Sequence, residues 1–291
     1  MNKEMSSREV IERLHSGMIL GIGGWGPRRK PMSLVREILR SALTDLTVVS
    51  YGGPEVGMLC AAGRVKKLIY GFVSMDVIPL EPHFRKARES GLLQVMELDE
   101  GMVQWGLRAA GMRMAFLPTR CGLATDVLAR NPQIKTIQSP YDDGETYIAM
   151  PALKLDAALL HVNEADRLGN TLIKGVDPFF DHLFARAADQ CYVSAERVSD
   201  RLALDASTAK FNLLERSLVT GVIAAPFGAH PTYSSPDYGW DLEHLKRYNA
   251  SASEADGWTA YVREFVQCTD QEYLAKVGGA EKVSNLELPV F

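Results

Sequence analysis

The sequence predicts an α/β protein in which a mostly parallel sheet carries helices on both faces. Three observations indicate this fold class. Short apolar stretches typical of strands alternate with amphipathic stretches typical of helices. Glycine-rich or polar turns follow several of the strand-like stretches, as they do at the carboxyl ends of parallel strands. The length of 291 residues and the 46% hydrophobic content are those of an ordinary globular protein.

The order of the elements supports this assignment. Helical spacing occurs in residues 7–16, 31–41, 81–90 and 102–112. Strand-like composition occurs in residues 18–22, 46–50, 67–73, 92–98, 157–162, 190–194 and 219–224. We expect residues 1–240 to form the α/β domain. The more polar residues 241–291 are expected to form a helical extension that packs on the core or on a partner, with Trp240 and Trp258 as anchors.

Charge and cysteine content exclude several classes of function. A net charge of −4 gives no reason to expect a nucleic-acid partner. The three adjacent cations at residues 28–30 are expected in a solvated loop unless a small anion sits beside them. Four widely separated cysteines argue against a zinc site or a disulfide framework and favour a reduced cytoplasmic compartment. We expect no signal peptide, because the N-terminus is polar, and no membrane helix, because no apolar run is long enough.

The glycine-rich residues 21–26 lie between a predicted strand and a predicted helix. Glycines let backbone N–H groups approach a ligand, and the helix N-terminus adds partial positive charge. The candidates for contact with a carbonyl oxygen or a phosphate are Gly23, Gly24, Trp25 and Gly26. The spacing differs from that of a dinucleotide-binding loop, so a tight structural turn is an equally good interpretation.

Asp99 and Glu100 stand between the strand at 92–98 and the following helix. Asp at an N-cap and Glu in the first turn are what a helix start prefers, so the pattern alone favours capping. The alternative is that Glu100 points from the carboxyl end of a strand into the crevice of the sheet. A carboxylate placed there can act as a base or a nucleophile.

Two further polar residues, Arg120 and His161, are candidates because of their positions relative to apolar stretches. Arg120 comes after a strand-like stretch, and it either binds a carboxylate or is a surface charge. His161 lies inside an apolar run, which is typical of a hydrogen-bonded core histidine. No Ser-His-Asp or Cys-His arrangement with a nucleophile turn is recognisable in the sequence.

Three ordered segments together resemble a known family. They are residues 16–26 with Pro31 and Leu34, residues 156–170, and residues 195–198 with 225–231. These segments are similar to the signatures of class I coenzyme A transferase α-subunits, and the resemblance covers roughly residues 7–240. It implies the fold of that superfamily, which agrees with the α/β prediction made from the pattern.

Four stretches are similar to one branch of this superfamily, the α-subunits of bacterial steroid ring-opening hydrolases. They are residues 24–32, 45–54, 70–74 and 99–102. The resemblance implies that Glu100 carries the essential carboxylate and that Arg120 is a partner of a substrate carboxylate or a structural partner. In the glutaconate-type transferases, the other branch, the working glutamate lies on the β-subunit instead.

The resemblance also implies a reaction and a partner. The reaction is hydrolytic opening of a steroid-derived cyclic β-keto acyl-CoA, with Glu100 as general base and the N–H groups of residues 23–26 facing a developing oxyanion. The partner is a β-subunit in an α2β2 heterotetramer. CoA enters only as part of the substrate, and no metal or redox cofactor is implied. The alternatives are a CoA-transferase α-subunit and a non-catalytic scaffold half.

Overall fold

A computed structural model describes residues 2–78 and 80–290 of the chain. Its strands are β1 (Ile19–Trp25), β2 (Leu46–Gly52), β3 (Val65–Val73), β4 (Gln94–Glu97), β5 (Phe116–Thr119), β6 (Lys135–Gln138), β7 (Thr146–Pro151), β8 (Leu155–Asp166), β9 (Thr171–Leu172), β10 (Ala188–Ser199) and β11 (Gly221–Ala224). Its α-helices are α1 (Ser7–Arg13), α2 (Met32–Arg40), α3 (Pro54–Ala61), α4 (Pro82–Glu89), α5 (Glu100–Gly111), α6 (Val127–Arg130), α7 (Asp181–Ala187), α8 (Leu242–Ala250), α9 (Gly257–Tyr261), α10 (Asp270–Lys276) and α11 (Gly279–Ser284). A 3₁₀ turn covers Ala209–Phe211, and a π-helical turn covers Val262–Val266. Within the described ranges, no helix is both long enough and apolar enough to cross a membrane.

The main sheet is parallel except for one short strand. Its order is β11-β10-β8-β1-β2-β3-β4, and β9 adds to β8 in the antiparallel sense. Leu20 of β1 pairs with Val48 of β2 on one side and with Ala157 of β8 on the other. The chain therefore winds in opposite directions from β1 and β8, and a crevice opens at their carboxyl ends, where α/β folds bind ligands.

The sheet is buried on both faces, as the predicted fold class requires. Leu159 and Leu160 are adjacent on β8, fully buried, and belong to different core clusters. The cluster around Leu159 includes Val35 of α2, whereas the cluster around Leu160 includes Leu107 of α5. Since successive strand residues point to opposite faces, these two clusters are the two faces of the sheet. The prediction of a parallel sheet covered by helices on both sides is confirmed.

A second, three-stranded sheet was not identified in the sequence. It is antiparallel, with the order β5-β7-β6. β6 has the sequence Lys-Thr-Ile-Gln and is largely exposed, so it carries little of the apolar patterning by which strands are recognised. Its pairing with β7 comes from tertiary contacts rather than from the periodicity of its side chains.

The C-terminal segment consists of helices that pack on the core. Tyr248 of α8, Phe265 and Tyr273 of α10 are buried in the same cluster as Val35. Trp258 stacks on Tyr261 with ring centroids 5.9 Å apart. The boundary at residue 240 between two structural units stays a prediction.

A histidine in this segment makes stability depend on pH. His244 is buried, and a ring nitrogen lies 2.8 Å from the hydroxyl oxygen of Tyr261. Burial, with a smaller effect of His230, lowers the pKa of His244 from 6.5 to about 3. The unfolded chain therefore takes up this proton first as the pH falls, so stability decreases below pH 6.5.

We expect the free energy of unfolding to fall by about 2 kcal/mol on account of His244 between neutral pH and about pH 5. His244→Gln should remove this part of the pH dependence. Urea titrations of both proteins across this range measure it. Identical slopes of stability against pH in the two proteins would contradict the assignment.

Candidate functional site

A cleft of about 370 Å³ lies at the carboxyl ends of the central strands. It combines aromatic rings with a few charged groups, which is typical of a small-molecule site. Its lining residues are Trp25, Arg28, Glu100, Val176, Asp177, Phe179, Phe180 and Tyr233. They come from the end of β1, the start of α5, the segment before α7 and the segment before α8, so the fold brings together parts of the chain that are far apart in sequence.

Glu100 is the first residue of α5 and follows β4. The helix is capped by the preceding residue, because the Asp99 carboxylate accepts a hydrogen bond from the N–H of Gly101 at 2.7 Å. The Glu100 side chain lines the cleft instead, and its Oε1 accepts a hydrogen bond from the indole N–H of Trp25 at 3.3 Å. Asp99 therefore takes the capping role, whereas the role of Glu100 as a base or nucleophile stays a prediction.

Tyr51 fixes the backbone of Glu100 through a hydrogen bond. The Tyr51 hydroxyl donates to the carbonyl oxygen of Glu100 at 3.1 Å. Burial raises the pKa of Tyr51 well above its usual value, and the negative charges of Glu100 and Asp99 raise it further. The phenol therefore remains protonated and keeps donating this bond.

The glycine-rich segment is the end of a strand rather than a loop. β1 continues to Trp25, with a register shift between Ile22 and Trp25 in its pairing with β2. The backbone N–H of Trp25 donates to the carbonyl of Arg28 at 3.0 Å, and that of Gly26 donates to the carbonyl of Tyr51 at 3.0 Å. These two N–H groups therefore already donate within the chain, whereas contact between the segment at residues 23–26 and a substrate oxygen stays a prediction.

Gly23 and Gly24 are needed for close packing. The N–H of Gly24 donates to the Asp181 carboxylate at 2.8 Å, so it too is used internally. A Cβ on Gly23 would lie 2.4 Å from a Leu160 methyl carbon, and one on Gly24 would lie 2.4 Å from the Arg28 carbonyl oxygen. Gly24 also has a φ of +74°, which favours glycine. Of the four candidates at residues 23–26, only Trp25 is among the lining residues.

The cations at residues 28–30 do not form a solvated loop. Arg29 is 1% exposed, with Nη1 3.0 Å from a carboxylate oxygen of Asp181. Lys30 is fully buried, with Nζ 2.8 Å from a carboxylate oxygen of Glu55. Burial lowers the pKa of Lys30, while the Glu55 carboxylate opposes that shift. The expectation of solvation is wrong because two buried acids pair with these cations beneath the cleft.

Arg120 lies outside the lining of this cleft. Its side chain is 70% exposed, and Nη1 is 3.4 Å from a carboxylate oxygen of Glu145. This placement matches the surface-charge alternative that the sequence left open. A contact between Arg120 and a substrate carboxylate stays a prediction from the family resemblance.

His161 lies in a buried hydrogen-bonded network between Ser194 and Glu196, and this sequence of serine, histidine and acid is also that of a catalytic triad. One ring nitrogen is 2.8 Å from the hydroxyl oxygen of Ser194, and the other is 2.7 Å from a carboxylate oxygen of Glu196. Glu196 also accepts bonds from the Tyr238 hydroxyl and the Phe227 N–H. His161 and Ser194 are fully buried, and the network is not part of the cleft lining. The interpretation of His161 as a hydrogen-bonded core histidine is confirmed.

The sequence did not single out the remaining lining residues as a group. Phe179 and Phe180 are consecutive and have φ values of +51° and +63°. An aromatic pair in this backbone conformation is uncommon and worth a functional explanation. The only sequence signal was the adjacency of two large aromatic side chains before a helix. Among the described residues there is no cluster of three or more His, Cys, Asp or Glu that could hold a metal ion.

The profile of the coenzyme A transferase family matches residues 3–216, which is most of the chain. The chain belongs to the coenzyme A transferase family. It is 48% identical to the cholesterol ring-cleaving hydrolase IpdA subunit of Rhodococcus jostii, over 95% of this chain and 96% of the relative. It is 45% identical to the subunit of the same name from Mycobacterium tuberculosis, over 95% and 97% of the two chains.

A solved structure shows the same coenzyme A transferase fold over the whole chain. Glutaconate coenzyme A-transferase from Acidaminococcus fermentans superposes with a TM-score of 0.90 and 28% identity, covering 99% of this chain and 96% of that one. The resemblance deduced from the three sequence segments is therefore confirmed. Its similarity to the ring-opening branch is confirmed as well, by the identities of 48% and 45%.

Proposed function

We propose that this chain is the α-subunit of an enzyme that opens the ring of a steroid-derived cyclic β-keto acyl-CoA by hydrolysis. The observation that carries the proposal is the carboxylate of Glu100 in an aromatic cleft. It occurs in a chain that shares 48% of its residues with a subunit named for cholesterol ring cleavage.

Glu100 acts as the general base in this reaction. One carboxylate oxygen accepts the indole N–H of Trp25, which fixes the group, and the carboxylate takes a proton from water. The water oxygen adds to the ring ketone carbon, and the bond from that carbon to the α-carbon of the thioester breaks. The electron pair becomes the thioester enolate, which takes back a proton. The product is the substrate plus one water, with a new carboxylate and the CoA thioester intact.

The shape of the cleft supports a ring-bearing substrate. Phe179, Phe180 and Trp25 supply flat apolar walls, and Trp25 packs edge-on against Phe72 with centroids 4.5 Å apart. A volume of about 370 Å³ is at the small end for ligand pockets, so it holds the acyl part rather than the whole thioester.

A partner subunit completes the enzyme in this proposal. The Rhodococcus and Mycobacterium relatives are both named as subunits. We propose a β-subunit of the same superfamily and an α2β2 assembly, with the rest of the CoA contacts supplied at the shared crevice. We also propose that the enzyme works in the cytoplasm, and the free thiols of Cys60, Cys121, Cys191 and Cys268 support a reducing compartment.

The position of Glu100 depends on a glycine beneath it. A Cβ on Gly71 of β3 would lie 3.0 Å from Cα of Glu100 and 3.3 Å from its backbone nitrogen. We therefore expect Gly71→Ala to displace the base and to lower kcat by about 10- to 100-fold. Turnover measured together with the far-ultraviolet circular dichroism spectrum checks this, and an unchanged kcat in a folded variant would contradict it.

The second candidate function is CoA transfer between carboxylic acids. It is favoured by the superposition on glutaconate coenzyme A-transferase. In that case Glu100 would be only a first-turn helix residue, and a glutamate of the partner would carry the CoA.

One experiment tests the proposal against transfer. The complex with its partner subunit is incubated with the cyclic β-keto acyl-CoA and excess acetate, and the products and both protein chains are analysed by mass spectrometry. We expect the ring-opened thioester, no acetyl-CoA and no modified chain. Acetyl-CoA together with a CoA adduct on the partner would establish the transferase instead.

A further inference from the structure

We infer that Arg28 binds a carboxylate on the acyl part of the substrate, taking it in exchange for Asp76. This makes Arg28 a specificity-determining residue for acids that carry a second, free carboxylate. The inference rests on the proposed function for the identity of the substrate, but its binding test does not require ring opening.

Arg28 is the one cation among the cleft's described lining residues. Its neighbours Arg29 and Lys30 are buried and paired with Asp181 and Glu55. The acids at this cleft, Glu100 and Asp177, would repel an anionic substrate arm. An anionic arm is therefore accommodated at Arg28.

The backbone around Arg28 is fixed before any ligand arrives. Its N–H donates to the carbonyl of Trp25 at 3.1 Å, and its carbonyl accepts the N–H of Trp25 at 3.0 Å. A backbone bridge joins Arg28 to Tyr233, and the guanidinium carbon lies 4.2 Å from the centre of the Trp25 ring. A planar guanidinium held in this way is suited to recognise a carboxylate through two parallel bonds.

Asp76 supplies the carboxylate that pairs with Arg28. Its carboxylate is 2.7 Å from Nη2 of Arg28, and the two side chains are 19% and 14% exposed. Asp76 belongs to the connection between β3 and α4 and has a φ of +55°. Burial raises the pKa of Asp76 although Arg28 opposes the shift, so its charged form is poorly solvated there. A substrate carboxylate replaces one anion by another on Arg28 and releases Asp76 towards water.

The indole ring of Trp25 lies between Arg28 and Glu100, and it therefore sets the distance between the proposed carboxylate site and the base. Arg28 stacks on the ring, while the ring N–H donates to Glu100. The carboxylate arm and the reacting ring of the substrate therefore lie about one indole width apart. A substrate without the arm leaves the Arg28–Asp76 pair in place and gains nothing from this subsite.

The first test uses binding of two CoA thioesters of similar length to the complex with its partner subunit. Glutaryl-CoA carries a free carboxylate, and pentanoyl-CoA does not. We expect the wild type to bind glutaryl-CoA about 10- to 100-fold more tightly, as for a hydrogen bond to a charged group. Arg28→Gln should reduce that preference to near unity, and Arg28→Lys should restore part of it. A preference that survives Arg28→Gln would overturn the inference.

Two variants complete the binding test. Arg8→Gln removes an 84% exposed arginine paired with Glu12 and should leave the preference unchanged. Asp76→Asn removes the charge that competes for Arg28, and it should tighten glutaryl-CoA binding several-fold. Damage to the fold would weaken binding instead. Weaker glutaryl-CoA binding in Asp76→Asn, with pentanoyl-CoA binding unchanged, would contradict the exchange.

The second test uses ring opening of a cyclic β-keto acyl-CoA that carries a free carboxylate on a side arm, and of the methyl ester of that carboxylate. Arg28→Gln should raise KM for the acid about 10- to 100-fold, with a much smaller effect on kcat and on the ester. Equal losses with both substrates would overturn the inference. If the wild type opens neither ring but Arg28 still controls the binding preference, the proposed function fails and the subsite stands.

Discussion

Replacing Glu100 with glutamine is expected to lower kcat for ring opening by about 100- to 10,000-fold, the range of general-base catalysis. The amide oxygen can still accept the Trp25 indole N–H, which lies 3.3 Å from Oε1. Asp99 still caps α5 through the N–H of Gly101. The change therefore removes the proton acceptor and leaves the packing, the helix start and KM largely intact. Steady-state kinetics of the complex measure the loss.

The matched control is Glu12→Gln on α1, which removes an exposed carboxylate paired with Arg8. We expect its kcat to equal that of the wild type. The mass of the complex is measured for each variant. If the chain were only a scaffold, the Glu100 substitution would change activity only by disrupting assembly with the partner. Near-normal turnover in an assembled Glu100→Gln complex would mean that Glu100 is not the base.

The second large effect is expected at the buried ion pair beneath the cleft. Lys30 and Glu55 are both fully buried, with 2.8 Å between Nζ and Oε1. Nζ also donates to the Tyr51 carbonyl at 2.7 Å and to the Ser50 hydroxyl at 3.0 Å. Lys30→Met leaves the Glu55 charge without its counter-ion, so we expect a loss of about 3–5 kcal/mol in the free energy of unfolding.

Thermal melting measures this loss, which corresponds to a decrease of roughly 10 °C for a domain of this size. Lys66→Met, at an exposed position of β3, serves as the control and should change stability by less than about 0.5 kcal/mol. Adding Glu55→Gln to Lys30→Met should recover part of the stability, because the unpaired charge is then gone. No loss in Lys30→Met would show that the pair is not needed for the fold.

The sequence predicted the part of the fold that depends on local periodicity. Apolar spacing located α2 at residues 31–41, and the structure has it at Met32–Arg40. Apolar spacing did not identify β6, because the exposed polar side chains of this strand carry no strand pattern. It also ended β1 at Ile22, because glycine weakens the strand signal, whereas pairing with β2 extends the strand to Trp25.

The candidate site was predictable only in part. The pattern identified Asp99 as a helix cap, and the family resemblance rather than the pattern selected Glu100 for chemistry. Burial of Arg29 and Lys30 was not predictable, because their acidic partners Asp181 and Glu55 are distant in sequence. The place of Phe180 in the cleft lining was not predictable either, because tertiary packing sets the path of the chain before α7.

Ring opening in heavy-oxygen water tests the central claim most directly. The complex of this chain with its partner is given the cyclic β-keto acyl-CoA and excess acetate in labelled water, and the products are analysed by mass spectrometry. Hydrolysis with Glu100 as the base predicts one heavy oxygen in the new carboxylate, an intact CoA thioester, and formation of this product about 100- to 10,000-fold more slowly by the Glu100→Gln complex. An unlabelled product with the ring intact and the CoA moved to another acid would contradict it.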